Sequence, residues 1–201
     1  MNTKEIITKT ALKLFLSKGF NETSMNEIAR EVGISKPAIY HHFKNKDELV
    51  EAIFDHFSSK MADWTQASYK SLTDEEKVHK MFSSTPIFMH IEEVLLDTID
   101  AELPYSYNMF MLLMSRMNPA YKVRISEDLL LTQHKLTESF ARLQQKQSVR
   151  DDIDPAALSL MMHTILEGLS FLGELIDNTD VEAESEKLYS AFWKMIKKEN
   201  Q

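Results

Sequence analysis

Between Ser24 and Lys46 lies a group of side chains with too little commitment to a hydrophobic core to be there for packing alone. Ile39 and Phe43, four apart, are the apolar pair that a short helix beginning after Ser35 turns inward. Ser35, Lys36, Pro37, Ala38, Tyr40, His41 and His42 then point elsewhere. Their chemistry suits a nucleic-acid duplex. Lys36 can pair with phosphate or a guanine edge, Tyr40 and His42 can donate to phosphate oxygens, and Pro37 and Ala38 offer small apolar surfaces to a thymine methyl. Lys46 opens the next helix, where free backbone N–H groups add to its positive charge. Competing chemistry is thin. Glu76-x-x-His79 is half of a carboxylate-bridged di-iron pattern, and a helical-bundle site needs two such motifs with two further glutamates. A Gly-rich phosphate loop, a nucleophile elbow and HExxH are all missing, so the sequence reads as no enzyme, with no metal and no cofactor.

The elements that must position these groups follow from caps and periodicity. Ile7, Ala11, Leu14 and Phe15 recur at helical spacing up to Gly19, a C-terminal cap. Ser24 and Glu27 have capping-box spacing and open a second helix, with Ile28, Ala29 and Val32 on one face. Gly33 supplies the positive φ of a tight turn. Ser35 caps the third helix, and Pro37 sits in its first turn, where a missing N–H is no loss. Asn45 and Glu48 repeat the cap spacing for a fourth helix striped by Leu49, Val50, Ile53, Phe54 and Phe57 and reaching toward Tyr69. Thr73 with Glu76, Pro86 and Pro104 mark further starts, and a long helix fills 121–145. Asp154 and Pro155 open a helix of about 22 residues. Its polar positions Ser159, His163, Glu167, Ser170, Glu174 and Asp177 form a narrow stripe on an otherwise apolar cylinder. A final amphipathic segment spans 181–196.

Composition agrees with an all-α chain. Of 201 residues 43% are hydrophobic, with four glycines, five prolines and no cysteine. Helix formers dominate, and the lack of cysteine fits a reducing compartment, with the cytoplasm as the default. No targeting signal is read at the N-terminus, and His163, Glu167 and Glu174 interrupt the most apolar stretch, which argues against a membrane span. The net charge of −8 is unevenly spread: residues 1–46 carry eight Lys/Arg against four Asp/Glu, a net of +4, and the rest carries −12. A basic head on an acidic body can bind DNA, the body's field helping to orient the head.

The stretch TSMNEIAREVGISKPAIYHHFKNKDELVEAIF resembles the signature of the tetracycline-repressor-like (TetR) family of bacterial regulators, densely from Ile6 to Phe57. The Asp154-Pro155 start and the apolar 158–176 helix are also similar to the dimerising helix of that family. The resemblance implies an N-terminal helix-turn-helix domain over 1–46, a connecting helix starting over 46–70, and a helical regulatory and dimerisation domain over 47–201. It also implies DNA contacts from Ser24 and Met25 at the start of the second helix, and from Lys36, Pro37, Ala38, Tyr40, His41, His42 and Lys46.

Two further surfaces are expected. Phe88, Met89, Tyr105, Tyr107, Phe110, Met111, Met114, Met117 and Tyr121, with Trp64 and Met161, make a Met- and aromatic-rich set that suits a small-molecule pocket, although helical spacing also suits plain core. Leu158, Met162, Ile165, Leu169, Leu172, Ile176, Leu188, Phe192 and Met195 present more apolar face than one subunit buries, so they are assigned to a dimer interface, with Gly168 and Gly173 permitting close approach. The resulting expectation is a homodimeric regulator, a repressor, that leaves an inverted-repeat double-stranded DNA operator when an unidentified apolar or amphipathic ligand binds. The alternative is a helical protein-interaction or structural factor on the same fold that senses no ligand.

Overall fold

The computed structural model describes residues 2–85 and 107–198. The starts expected at Pro86 and Pro104, and the candidates Phe88, Met89 and Tyr105, lie outside the described residues, as does the side chain of Tyr107. Among the described residues there are nine helices and no strand, with one isolated β-bridge between Val149 and Lys197. The all-α expectation holds. The described residues fall into two compact units, 2–67 and 68–85 with 107–198.

The first unit contains α1 (Thr3–Lys18), α2 (Met25–Val32), α3 (Lys36–His42) and most of α4 (Lys46–Tyr69). α1 opens on a capping box: Asn2 Oδ1 accepts the Glu5 N–H at 2.9 Å and Glu5 accepts the Asn2 N–H at 3.4 Å. It ends where Gly19, at φ 96°, donates its N–H to Phe15 O. Gly33 closes α2 in the left-handed region at φ 78°, a conformation that a Cβ would strain. Ile7, Ala11, Leu14 and Phe15 of α1, Ile28 and Ala29 of α2, Ile39 and Phe43 around α3, and Leu49, Val50, Ile53, Phe54 and Phe57 of α4 are all buried, with α1 packed on α2 and α2 on α3. α4 is continuous over 24 residues, roughly 36 Å at 1.5 Å per residue.

One cap forms only in part. Ser24 Oγ accepts the Glu27 N–H at 3.1 Å, but the Glu27 carboxylate takes the Lys18 ammonium at 2.5 Å instead of returning to Ser24. Both partners would give a bond to an ionised acceptor, but the Lys18 ammonium also brings a full opposite charge, which a backbone N–H does not. The same Lys18 bond holds the Glu27 carboxyl below its ordinary range.

The second unit contains α5 (Asp74–Ser83), α6 (Tyr107–Met117), α7 (Pro119–Gln145), α8 (Pro155–Leu175) and α9 (Val181–Ile196). Thr73 and Glu76 open α5, as expected, and do so with a full capping box. Val78 and Phe82 of α5, Leu136, Phe140 and Leu143 of α7, Leu158, Met162 and Leu166 of α8, and Phe192 and Ile196 of α9 make one core. Each such side chain contributes about 1.5–3 kcal/mol by leaving water. The Ser185 hydroxyl donates to Phe82 O, pinning α9 to α5.

α8 is long and apolar enough to cross a membrane on length and composition, but it packs against α7 and α9. Its register corrects the sequence reading. Two serines of the polar stripe face inward: Ser159 is buried and donates to Gln133 O at 3.0 Å, and the buried Ser170 accepts from Asn108 Nδ2 at 3.2 Å. Leu158, Met162 and Leu169, and Phe192 of α9, lie in the chain's own core and are not available to a second copy. Ile165 and Leu188 are half-buried against that core, while Leu172, Ile176 and Met195 are exposed. The outward seam is instead Met161, Thr164, Gly168, Phe171 and Leu175, at steps of three and four, with Phe171 59% and Leu175 66% exposed. Thr164 folds its hydroxyl back onto Leu160 O, and a Cβ at Gly168 would meet nothing within 4 Å.

A partly buried ion pair joins α5 to α7 in this unit. The Asp74 side chain, 7% exposed, accepts from Arg142 Nη2 at 2.8 Å and from Nε at 3.1 Å; Lys146 and Lys77 stand 3.5 and 3.7 Å away, and Ser139 Oγ holds the same guanidinium. The Arg142 bond chiefly depresses the Asp74 carboxyl from 3.8 to about 2. Because the folded value lies below the unfolded one, the pair stabilises the fold fully above the ordinary carboxylate range. That contribution is lost as pH falls toward 2. Asp74→Asn is expected to lower the unfolding free energy by about 2 kcal/mol at neutral pH, and the gap from wild type is expected to close below pH 4. Urea denaturation over a pH series measures it. A gap independent of pH would show that the charge is not its source.

Candidate nucleic-acid interface

A short helix projects side chains outward only if something else holds it still. α3 has seven residues, and its packing rests on Ile39 and on Phe43, the C-cap, both fully buried. Ser35 Oγ accepts the Ala38 N–H at 3.3 Å, and the Phe43 N–H donates to Ile39 O at 2.9 Å before the chain turns extended at φ −142°. Both ends are thus fixed. Lys4 stands over the Phe43 ring with its ammonium 5.2 Å from the centroid, covering the second anchor from α1.

The outward surface is close to that expected. Lys36, Pro37, Tyr40 and His41 are exposed, Tyr40 to 41%, while Ala38 and His42 are half-buried. The His41 and His42 rings meet edge to face at 5.7 Å. α3 carries no acidic residue. Ser24 is exposed at the mouth of α2, its oxygen already serving as the N-cap. Arg30 and Lys44 are exposed cations of this unit that spacing alone does not single out, because neither occupies a cap or a patterned position.

Two expected contacts are corrected. Met25 is buried between α2 and its neighbours and offers no surface to a duplex. Lys46 does not project from the start of α4: its Nζ donates to Phe20 O at 2.7 Å and to Thr23 O at 2.8 Å, and lies 4.1 Å from the Phe20 ring centroid. Sequence spacing places Lys46 at a helix start but says nothing of carbonyls more than twenty positions earlier.

The Met- and aromatic-rich set divides. Phe110, Met111 and Met114 of α6 and Tyr121 of α7 are buried on a packed helix pair, and Met117 is half-buried beside them. Trp64 belongs to α4 in the first unit and is half-buried there. Met161 lies on the outward seam of α8, pointing away from the core that a pocket reading needs. A different cleft, of 460 Å³, is lined by Thr73, Glu75, Glu76, His79 and Tyr189. There Glu76 is occupied with the Thr73 cap, and His79 Nε2 lies 3.2 Å from Glu186 of α9. Among the described residues no three or more His, Asp or Glu side chains are grouped to hold a metal ion.

Comparison with known proteins places this geometry. The family model described as bacterial regulatory proteins, tetR family, matches residues 7–53. The Bacillus subtilis regulator YerO, described as an uncharacterized HTH-type transcriptional regulator, is 48% identical over 54 residues, 27% of this chain and 19% of that protein. The Staphylococcus epidermidis negative transcriptional regulator IcaR is 36% identical over 58 residues, 27% of this chain and 31% of that one. The match therefore spans less than a third of either relative's length. In fold the likeness runs through the whole chain: a TetR transcriptional regulator from Chloroflexus aurantiacus superposes with a TM-score of 0.71 at 16% identity, covering 98% of this chain and 97% of that one. Residues 7–53, the helix-turn-helix unit, are thus similar in sequence to the tetR family of bacterial regulatory proteins, and the chain shares the fold of a solved TetR regulator.

Proposed function

We propose that the chain is a DNA-binding transcriptional regulator, a repressor, working as a homodimer on an inverted-repeat duplex site and released from it by a small apolar or amphipathic ligand. The observation that carries the reading is α3: fixed at both ends by Ser35 and Phe43, anchored by two buried side chains, and presenting Lys36, Pro37, Tyr40 and His41 to solvent. The excess of cations over residues 1–46 supports it. The sign of regulation follows IcaR, whose name describes a negative regulator.

The dimer is proposed through the outward seam of α8. Met161, Phe171 and Leu175 flank Thr164 and Gly168, which carry little bulk, so two copies related by a two-fold axis can approach closely along it. Leu172, Ile176 and Met195 border the seam in this reading. The ligand is proposed to seat among the Phe110, Met111, Met114 and Tyr121 side chains. Whatever factor the ligand takes from DNA affinity, the operator must take from ligand affinity.

Two outcomes test the proposal. Lys36→Ala with Tyr40→Ala is expected to cut affinity for a duplex selected by the wild-type protein from random sequence at least tenfold, at about 1–3 kcal/mol per base or phosphate contact, and to leave thermal stability unchanged because both side chains are exposed. Fluorescence anisotropy reads the affinity; an unaltered value removes α3 from the interface. Phe171→Glu is expected to convert the dimer to a monomer without loss of helicity, since the residue is outside the chain's own core. Sedimentation velocity decides it, and a wild-type protein that sediments as a monomer refutes the seam.

A further inference from the structure

We infer that His41 and His42, adjacent on the last turn of α3, bind one proton per copy together with the duplex, so that DNA is held more tightly as pH falls. The inference rests on the DNA-binding reading of α3 and deepens it by naming a condition that regulates the same surface. Imidazole is the side chain that gains or loses its charge between about pH 5 and pH 8. His41 is exposed and His42 half-buried, and their rings meet edge to face with centroids 5.7 Å apart. Elsewhere in the chain histidines come with a carboxylate: His79 with Glu186 at 3.2 Å, His134 with Glu138 at 3.4 Å and His163 with Glu167 at 3.3 Å. The two on α3 have none.

The ionisable groups around the pair are mixed in sign. α3 itself adds Lys36 and Tyr40, and α1 brings Lys4 over the Phe43 ring. α2, packed on α3, brings Glu27, Arg30 and Glu31; Lys44 and the first turn of α4 bring Lys46, Asp47 and Glu48. Glu27 is held by Lys18, and Glu48 accepts the Lys44 N–H at 2.7 Å. Among the described residues no hydrogen bond or ion pair joins either imidazole to any of these groups. A duplex supplies the missing acceptors. A neutral imidazole donates through one nitrogen, whereas a protonated one donates through both and carries a full charge toward the phosphate oxygens. Two such charges on touching rings repel, so the pair takes one proton and not two. Protonation and DNA binding then favour each other by the same factor, and the gain is lost as pH rises through the imidazole range.

Fluorescence anisotropy on the full-length chain, with a duplex selected from random sequence at neutral pH and with salt held constant, tests the inference. Between pH 6 and pH 8 the affinity of the wild-type protein is expected to fall about tenfold or more, while that of His41→Asn with His42→Asn changes little. A second readout needs no variant to fold. In the wild type the slope of log affinity against log salt is expected to be steeper at pH 6 than at pH 8, by about 0.9 for each proton bound. A wild-type affinity that is flat over this window, a salt slope that does not change with pH, or a double variant that keeps the wild-type pH dependence overturns the inference and leaves α3 as the reading helix. A wild-type chain that binds no duplex at any pH overturns the reading of α3 as well.

Discussion

Everything proposed for this chain depends on a shortage: α3 has only Ile39 and Phe43 with which to hold itself in place. Two buried side chains contribute about 3–6 kcal/mol of burial, too little to fix the orientation of a helix against the entropy of ordering it. The surrounding structure supplies the rest through directional bonds. Gly33 sets the turn before α3, Ser35 closes its first turn, Phe43 leaves it in extended conformation, and Lys4 covers Phe43 from α1. The same economy frees the outer residues, since a helix with more core contacts would have fewer side chains to present.

The second unit solves the opposite problem. α8 is apolar nearly all round, and hydrophobicity alone cannot choose which face turns inward. Its serines decide. A buried hydroxyl must find a partner, and Ser159 finds Gln133 O while Ser170 accepts from Asn108. With those two directions fixed, Leu158, Met162 and Leu169 go into the core, and Met161, Phe171 and Leu175 are left outside. An outward apolar seam is thus a consequence of where two small polar groups were satisfied.

This difference explains what could be read from the residues. The ends of α1 and α2 at Gly19 and Gly33, the cap at Ser35, the box at Thr73 and Glu76 and the start at Pro155 are local signals, and each is found where its spacing places it. The stripes of α1 and α4 were equally legible because their polar and apolar faces differ. Three features escaped. The partner of Glu27 is Lys18 on the preceding helix, the acceptors of Lys46 lie more than twenty residues away, and the register of α8 turns on Gln133 of another helix. All three are tertiary facts, and a one-dimensional pattern carries no information about them. Of the expected contact set, the exposed part of α3 was readable and Met25 was not, because a residue at a helix start is equally placed to pack or to protrude.

The sequence separation of the tying contacts gives the two units different folding behaviour. In the first, Glu27 meets Lys18 at a separation of nine, the hydrogen bond from Lys46 to Phe20 spans 26, and Lys4 meets the Phe43 ring from still earlier in the chain. In the second, Arg142 reaches Asp74 across 68 positions and Ser185 reaches Phe82 across 103. Closing the longer loops costs only about 0.6 kcal/mol per doubling, so the difference bears little on stability. It bears heavily on rate, because such closures must be met before the contacts reward them. During synthesis the first unit can complete itself while the partners of Asp74 and Phe82 have yet to emerge. The reading head is therefore the early product of folding, and the body that would pair two heads is the late one.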